Sequence, residues 1–67
     1  MNNSPVQVLL VSPREAARML SISERTLYSL TKAGEIPSLK LARAVRYRAM
    51  DLENWVAKKI SEKSVDI

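Results

Sequence analysis

Apolar residues recur along the chain with two different periods, and the changes of period mark out its elements. Val8 to Val11 is an aliphatic run that stops at Ser12-Pro13, which predicts a short strand feeding directly into a helix start. Ala16, Ala17 and Leu20 then share one face at helical spacing while Arg14 and Arg18 lie off it, so the first helix lasts barely two turns before Ser21. Its start, Ser12-Pro13-Arg14-Glu15, has the form of a capping box. The Ser12 hydroxyl accepts from the Glu15 amide, the Glu15 carboxylate reaches back to the Ser12 amide, and Pro13 takes the first helical position, where no N–H is needed. Ile22 falls in the turn that follows, Ser23 caps a second helix that buries Leu27 and Leu30, and Gly34 and Pro37 end it after about ten residues. Two short helices joined by so tight a turn have helix-turn-helix spacing.

Beyond Pro37 the period falls to two. Leu39 and Leu41 alternate with Ser38 and Lys40, and Val45 and Tyr47 with Arg46 and Arg48, which predicts a hairpin whose strands share an apolar face and a basic face. The connecting Ala42-Arg43-Ala44 holds no Gly or Asn, so a loop longer than two residues, built on a type I turn with Arg43 at the tip, is expected. Leu52, Trp55, Val56 and Ile60 return to helical spacing, with Asp51 and Glu53 early and Lys58 and Lys59 late, as the helix dipole favours. This third helix is expected to close the core around Trp55. Polar residues dominate both ends, giving an expected organisation of a flexible segment at 1–7, a domain at 8–60 and a flexible tail at 61–67.

Composition narrows the function. A chain of 67 residues has room for one small domain. It has no Cys and no His, which removes disulfides, the commonest transition-metal ligands and the commonest proton-transfer side chain, so no cofactor is expected. Eleven Lys and Arg against seven Asp and Glu leave a net charge of +4, a balance that favours polyanions and above all nucleic acid. No apolar stretch is long enough to span a membrane and Val6 to Val11 lacks a basic leader, so a cytoplasmic location with no membrane partner is expected.

The cations fall on two surfaces. On the second helix Arg25, Tyr28, Ser29 and Lys32 stand at i, i+3, i+4 and i+7, opposite Leu27 and Leu30. Such a stripe is also the ordinary solvated face of an amphipathic helix. As a DNA-reading face it offers Arg25 for guanine O6 and N7, hydroxyls for phosphate, and free amides at the helix start. The hairpin adds Lys40, Arg43, Arg46 and Arg48, expected at its tip or on the side away from the core, where they track phosphates or protect an edge ribbon from aggregation. Tyr47 and Trp55 lie in register with aliphatic residues and read as core, not as base-stacking platforms. Glu15 is accounted for by capping, and Asp51 and Glu53 do not share a helix face, so no catalytic constellation emerges and an enzyme is not expected.

The segment SPREAARMLSISERTLYSLTKAGEIPSLKLARAVRYRAMDLENWV closely resembles the excisionase-like helix-turn-helix family, which is itself similar to the DNA-binding domain of MerR-type regulators. The telling pieces are Glu15-Ala16-Ala17 with Leu20, Ile22-Ser23 with Thr26-Leu27-Tyr28, Gly34-Glu35-Ile36-Pro37, Arg46-Tyr47, and Asp51-Leu52-Glu53 before Trp55. The resemblance spans about Val11 to Val56 and implies a fold that is mostly α with a small β-hairpin, a winged helix-turn-helix. It also implies a second helix in the major groove, with Glu24, Arg25 and Tyr28 at the DNA and the wing residues Arg43 and Arg46 alongside; Ser23, at the start of that helix, is counted with them as a candidate DNA contact. The chain departs from the family pattern where glycine is usual, at Ser21 in the interhelix turn and at Ala42 or Ala44 in the wing turn.

The expected activity is therefore sequence-specific binding of double-stranded DNA, as an excisionase that directs recombination beside an integrase or as a transcriptional regulator acting on the transcription machinery. Grip on an acidic protein partner is a third reading of the same surfaces. MerR-type regulators carry a long dimerisation helix, and only a dozen residues follow Trp55, so a monomer off DNA that binds cooperatively on it is expected.

Overall fold

A computed structural model describes residues 9–63. The segments at 1–7 and 64–67, and Val8 of the expected strand, lie outside the described residues. The order is β1 (Leu10–Val11), α1 (Pro13–Leu20), α2 (Glu24–Lys32), β2 (Leu39–Leu41), β3 (Ala44–Arg48) and α3 (Ala49–Lys63). Helix α3 thus begins directly from β3 and continues past Ile60. The strands form one antiparallel sheet in the order β1-β3-β2, so the hairpin gains a third strand from the start of the domain. The fold is a winged helix-turn-helix.

The core is where three helices and the sheet converge. Leu27 of α2, Ile36 of the loop after it and Leu52 of α3 are fully buried, each contributing about 1.5–3 kcal/mol of burial. Val11 and Tyr47 face each other across β1 and β3, and Ala16 and Ala17 bring α1 close; Leu20, Ile22, Leu30, Val45 and Trp55 complete the cluster. The residue by which α3 enters the core is therefore Leu52, in its first turn. Trp55 is half-buried beside it, and Ile60, expected on the core side, is 63% exposed because α3 outruns the elements it packs against.

Both short helices are closed at each end. Ser12 Oγ accepts from the Glu15 amide at 3.1 Å, while the Glu15 carboxylate turns forward to Arg18 Nη2 at 3.2 Å instead of back to the Ser12 amide. Ser23 Oγ accepts from the Thr26 amide at 3.0 Å. At the other ends the amides of Ile22 and Ser21 return to the carbonyls of Ala17 and Arg18, and those of Glu35 and Gly34 to Leu30 and Thr31. This is the Schellman pattern twice over, and it needs a left-handed residue each time. Gly34 supplies it at φ +81, but Ser21 supplies it at φ 59 with a side chain attached.

The wing turn corrects the sequence reading. Leu41 pairs with Ala44, so the loop is the two residues Ala42 and Arg43, and Ala42 has φ 57. Positive φ at the first loop position alone is the φ pattern of a type II′ turn, whose twist suits a hairpin well enough to outweigh the absence of glycine. The two-residue loop also sets the register, Leu39 opposite Arg46 and Lys40 opposite Val45. Directly opposed residues share a face, so Lys40 stands with Val45 and Tyr47, and Leu39 and Leu41 stand with Arg46 and Ala44. The strands do not share one apolar and one basic face, and Leu39 and Leu41 are 38% and 48% exposed.

The loop after α2 is fastened to α3. Glu35 Oε1 accepts from Trp55 Nε1 at 3.3 Å and meets Lys59 Nζ at 3.3 Å. The indole hydrogen bond, then the Lys59 ammonium, hold the Glu35 carboxyl below its ordinary pKa, and Glu35 in turn raises Lys59.

A left-handed backbone costs a residue with a Cβ about 1–2 kcal/mol, part of which glycine returns through its looser unfolded chain. Ser21→Gly and Ala42→Gly should each therefore stabilise the fold by about 0.5–1 kcal/mol, raising the melting temperature by several degrees; unchanged or lower melting would remove the strain argument. Glu35 is depressed when folded, so its contribution is present above the ordinary glutamate pKa and is lost as pH falls through the folded value. Urea titrations of Glu35→Gln should show a lower midpoint than wild type at neutral pH and convergence with it in acid, whereas a gap that persists in acid would place the effect elsewhere.

Candidate nucleic-acid interface

Helix α2 presents its polar stripe as its spacing requires. Burying Leu27 fixes the rotation of the helix, and Arg25, Tyr28, Ser29 and Lys32 are left exposed on the far side. Tyr28 is 62% exposed, and Lys32 Nζ lies 5.5 Å from its ring centroid, a cation–π contact between two exposed side chains. Glu24 opens the helix and is exposed. Ser23 is exposed too, but its hydroxyl caps the helix and also donates to Thr26 Oγ1 at 2.9 Å. Thr26 and Leu27 find acceptors on Ser23, while the amides of Glu24 and Arg25 have no acceptor within the helix and point out of its N-terminus.

The four wing cations are not equivalent. Arg43 stands exposed in the turn. Lys40 is exposed on β2, on the Val45 side of the ribbon and not on the outer side that strict alternation predicts. Arg46 is half-buried and its Nη1 donates to the Val45 carbonyl at 2.8 Å. Arg48 is held at the β3–α3 junction by Asp51, Nη2 to Oδ1 2.7 Å, a hydrogen bond and ion pair that raise the arginine pKa. Arg43 and Lys40 are thus the wing cations with neither an ion pair nor a side-chain hydrogen bond among the described residues, whereas Arg48 must exchange one anion for another to meet a phosphate.

Helix and wing also touch directly, at a contact that sequence reading missed. The Tyr47 ring is buried, and its hydroxyl lies 2.6 Å from Thr31 Oγ1 of α2. The signal was present in the spacing, since Thr31 stands one turn after Leu27 on the edge of the buried face.

A family model described as a helix-turn-helix domain matches residues 10–60, from β1 to the second half of α3. The chain belongs to that family. It is the excisionase-like group of small domains that the motifs resemble, and the helix-turn-helix domain binds double-stranded DNA. No curated protein and no solved structure matches the chain. Among the described residues no cluster of acids could hold a metal, and no helix is long and apolar enough to cross a membrane.

Pairing with Asp51 makes Arg43 and Arg48 separable. On a random-sequence duplex each lost phosphate contact flattens the plot of log affinity against log salt by about 0.9. Arg43→Ala should flatten it by about that amount and Arg48→Ala by clearly less; equal slopes for the two variants would show that Asp51 does not hold Arg48 back.

Proposed function

We propose that this helix-turn-helix domain reads a specific DNA sequence with α2 in the major groove and the wing on the adjacent backbone, and that it acts in recombination as an architectural, non-catalytic excisionase. What supports this reading above all is the exposed stripe of α2, which carries Arg25 and Lys32 without an acid between them, on a helix tied to the wing through Thr31 and Tyr47. Arg25 projects from the first turn, where a guanidinium meets guanine O6 and N7 bidentately. Glu24 is repelled by phosphate and suits a base-edge donor such as cytosine N4. Tyr28, Ser29 and Lys32, the amides at the start of α2, and Lys40 and Arg43 of the wing engage phosphates and fix the register; Arg46 and Arg48 flank them.

A single module of this kind covers only about 600–1,000 Å² of DNA, so useful affinity comes from neighbouring copies or from an integrase bound alongside. That need for company suits an assembly factor, and it is the resemblance to excisionases that favours recombination over promoter control.

Selection of bound sequences from a random pool tests the reading. A wild-type motif with a guanine whose preference disappears in Arg25→Ala supports major-groove reading by α2, and an unchanged motif in that variant refutes it. Sites that flank recombination junctions and stimulate excision support the architectural role; sites confined to promoters of unlinked genes, with no effect on excision, replace it with transcriptional regulation.

A further inference from the structure

We infer that the Thr31–Tyr47 hydrogen bond sets the angle between α2 and the wing, so that both are positioning residues for DNA binding. The inference rests on the reading that α2 and the wing engage DNA together. Helix α2 packs principally on α1, whereas β3 packs on β1, β2, α1 and α3, so the two DNA-facing elements are mainly held by third parties. The tie between Thr31 and Tyr47 joins them directly, at 2.6 Å and beside the core. The Thr31 hydroxyl has one proton and places it on the Leu27 carbonyl at 2.8 Å, which leaves Tyr47 as the donor to Thr31. A chain thus runs from the wing strand through Thr31 into the backbone of α2, with each bond polarising the next.

The leverage is large. Arg43 lies four residues along the ribbon from Tyr47, about 13 Å at strand rise. A rotation of about 10° at Tyr47 would carry the tip about 2 Å, and hydrogen bonds to phosphate tolerate only a few tenths of an ångström around 2.7–3.2 Å. An aromatic ring without the hydroxyl would still fill the core, but it would leave this angle to packing alone.

The test uses the full chain and a fluorescent random-sequence duplex titrated across salt, with thermal melts as the check on folding. Tyr47→Phe should remain folded, bind more weakly and show a salt slope flatter by at least about 0.9. Adding Arg43→Ala should then cost it much less than the same change costs wild type, because the wing is already out of place. Thr31→Val should reproduce both effects and Thr31→Ser should restore wild-type behaviour, a pair that carries the test if Tyr47→Phe fails to fold. Wild-type slope in Tyr47→Phe or Thr31→Val, or an undiminished cost of Arg43→Ala, overturns the coupling while leaving DNA binding intact. Absence of salt-dependent binding by wild type would instead remove the reading on which the coupling rests.

Discussion

The meeting of Leu27, Ile36 and Leu52 is the constraint on which the rest depends. A domain this short has few side chains that reach full burial, so each must be delivered from a different segment and from a fixed direction. Leu27 sets the rotation of α2 and so decides which side chains face outward. Ile36 draws the loop after α2 into the core, and Leu52 anchors the start of α3 in the same cluster. The alanines of α1 matter for their size, since bulkier residues at Ala16 or Ala17 would hold α1 away from its partners.

Much of this was legible in the chain. Ser12, Pro13, Ser23 and Gly34 announce helix ends through local chemistry that acts within three or four residues, and the apolar spacing of α1 and α2 follows from one buried face each. Legibility ended where the outcome depended on parity or on distance. Neither Ala42 nor Arg43 advertises a two-residue turn, and one residue more or less in that loop exchanges the faces of Lys40, Leu39 and Leu41. Ile36 sits alone among polar and turn residues, with no period to reveal its burial. The links from Glu35 to Trp55 and from Thr31 to Tyr47 join residues 20 and 16 apart in the chain, beyond the reach of any local pattern.

The candidate surface was legible in kind and less so in rank. Counting cations gives the wing four equal members, but the fold sorts them by what else they touch: Asp51 holds Arg48, a backbone carbonyl holds the Arg46 guanidinium, and Arg43 and Lys40 have neither kind of partner among the described residues. The sites where glycine is usual in the family, Ser21 and the wing turn, coincide with the two non-glycine residues of positive φ among those described. At those points the backbone keeps the shape that glycine ordinarily supports, and the side chain bears the cost.

The outward turn of Leu39 and Leu41 has a bearing on how copies of this protein tolerate one another. Strand β2 forms one edge of the sheet, is three residues long and displays two leucines, an arrangement open to edge-to-edge association. Its brevity offers a second chain few backbone groups, and Lys40 with the arginines of β3 sets like charge against like. That repulsion acts over about 10 Å at 0.1 M salt and about 3 Å at 1 M. The electrostatic barrier to pairing at this edge therefore falls as ionic strength rises.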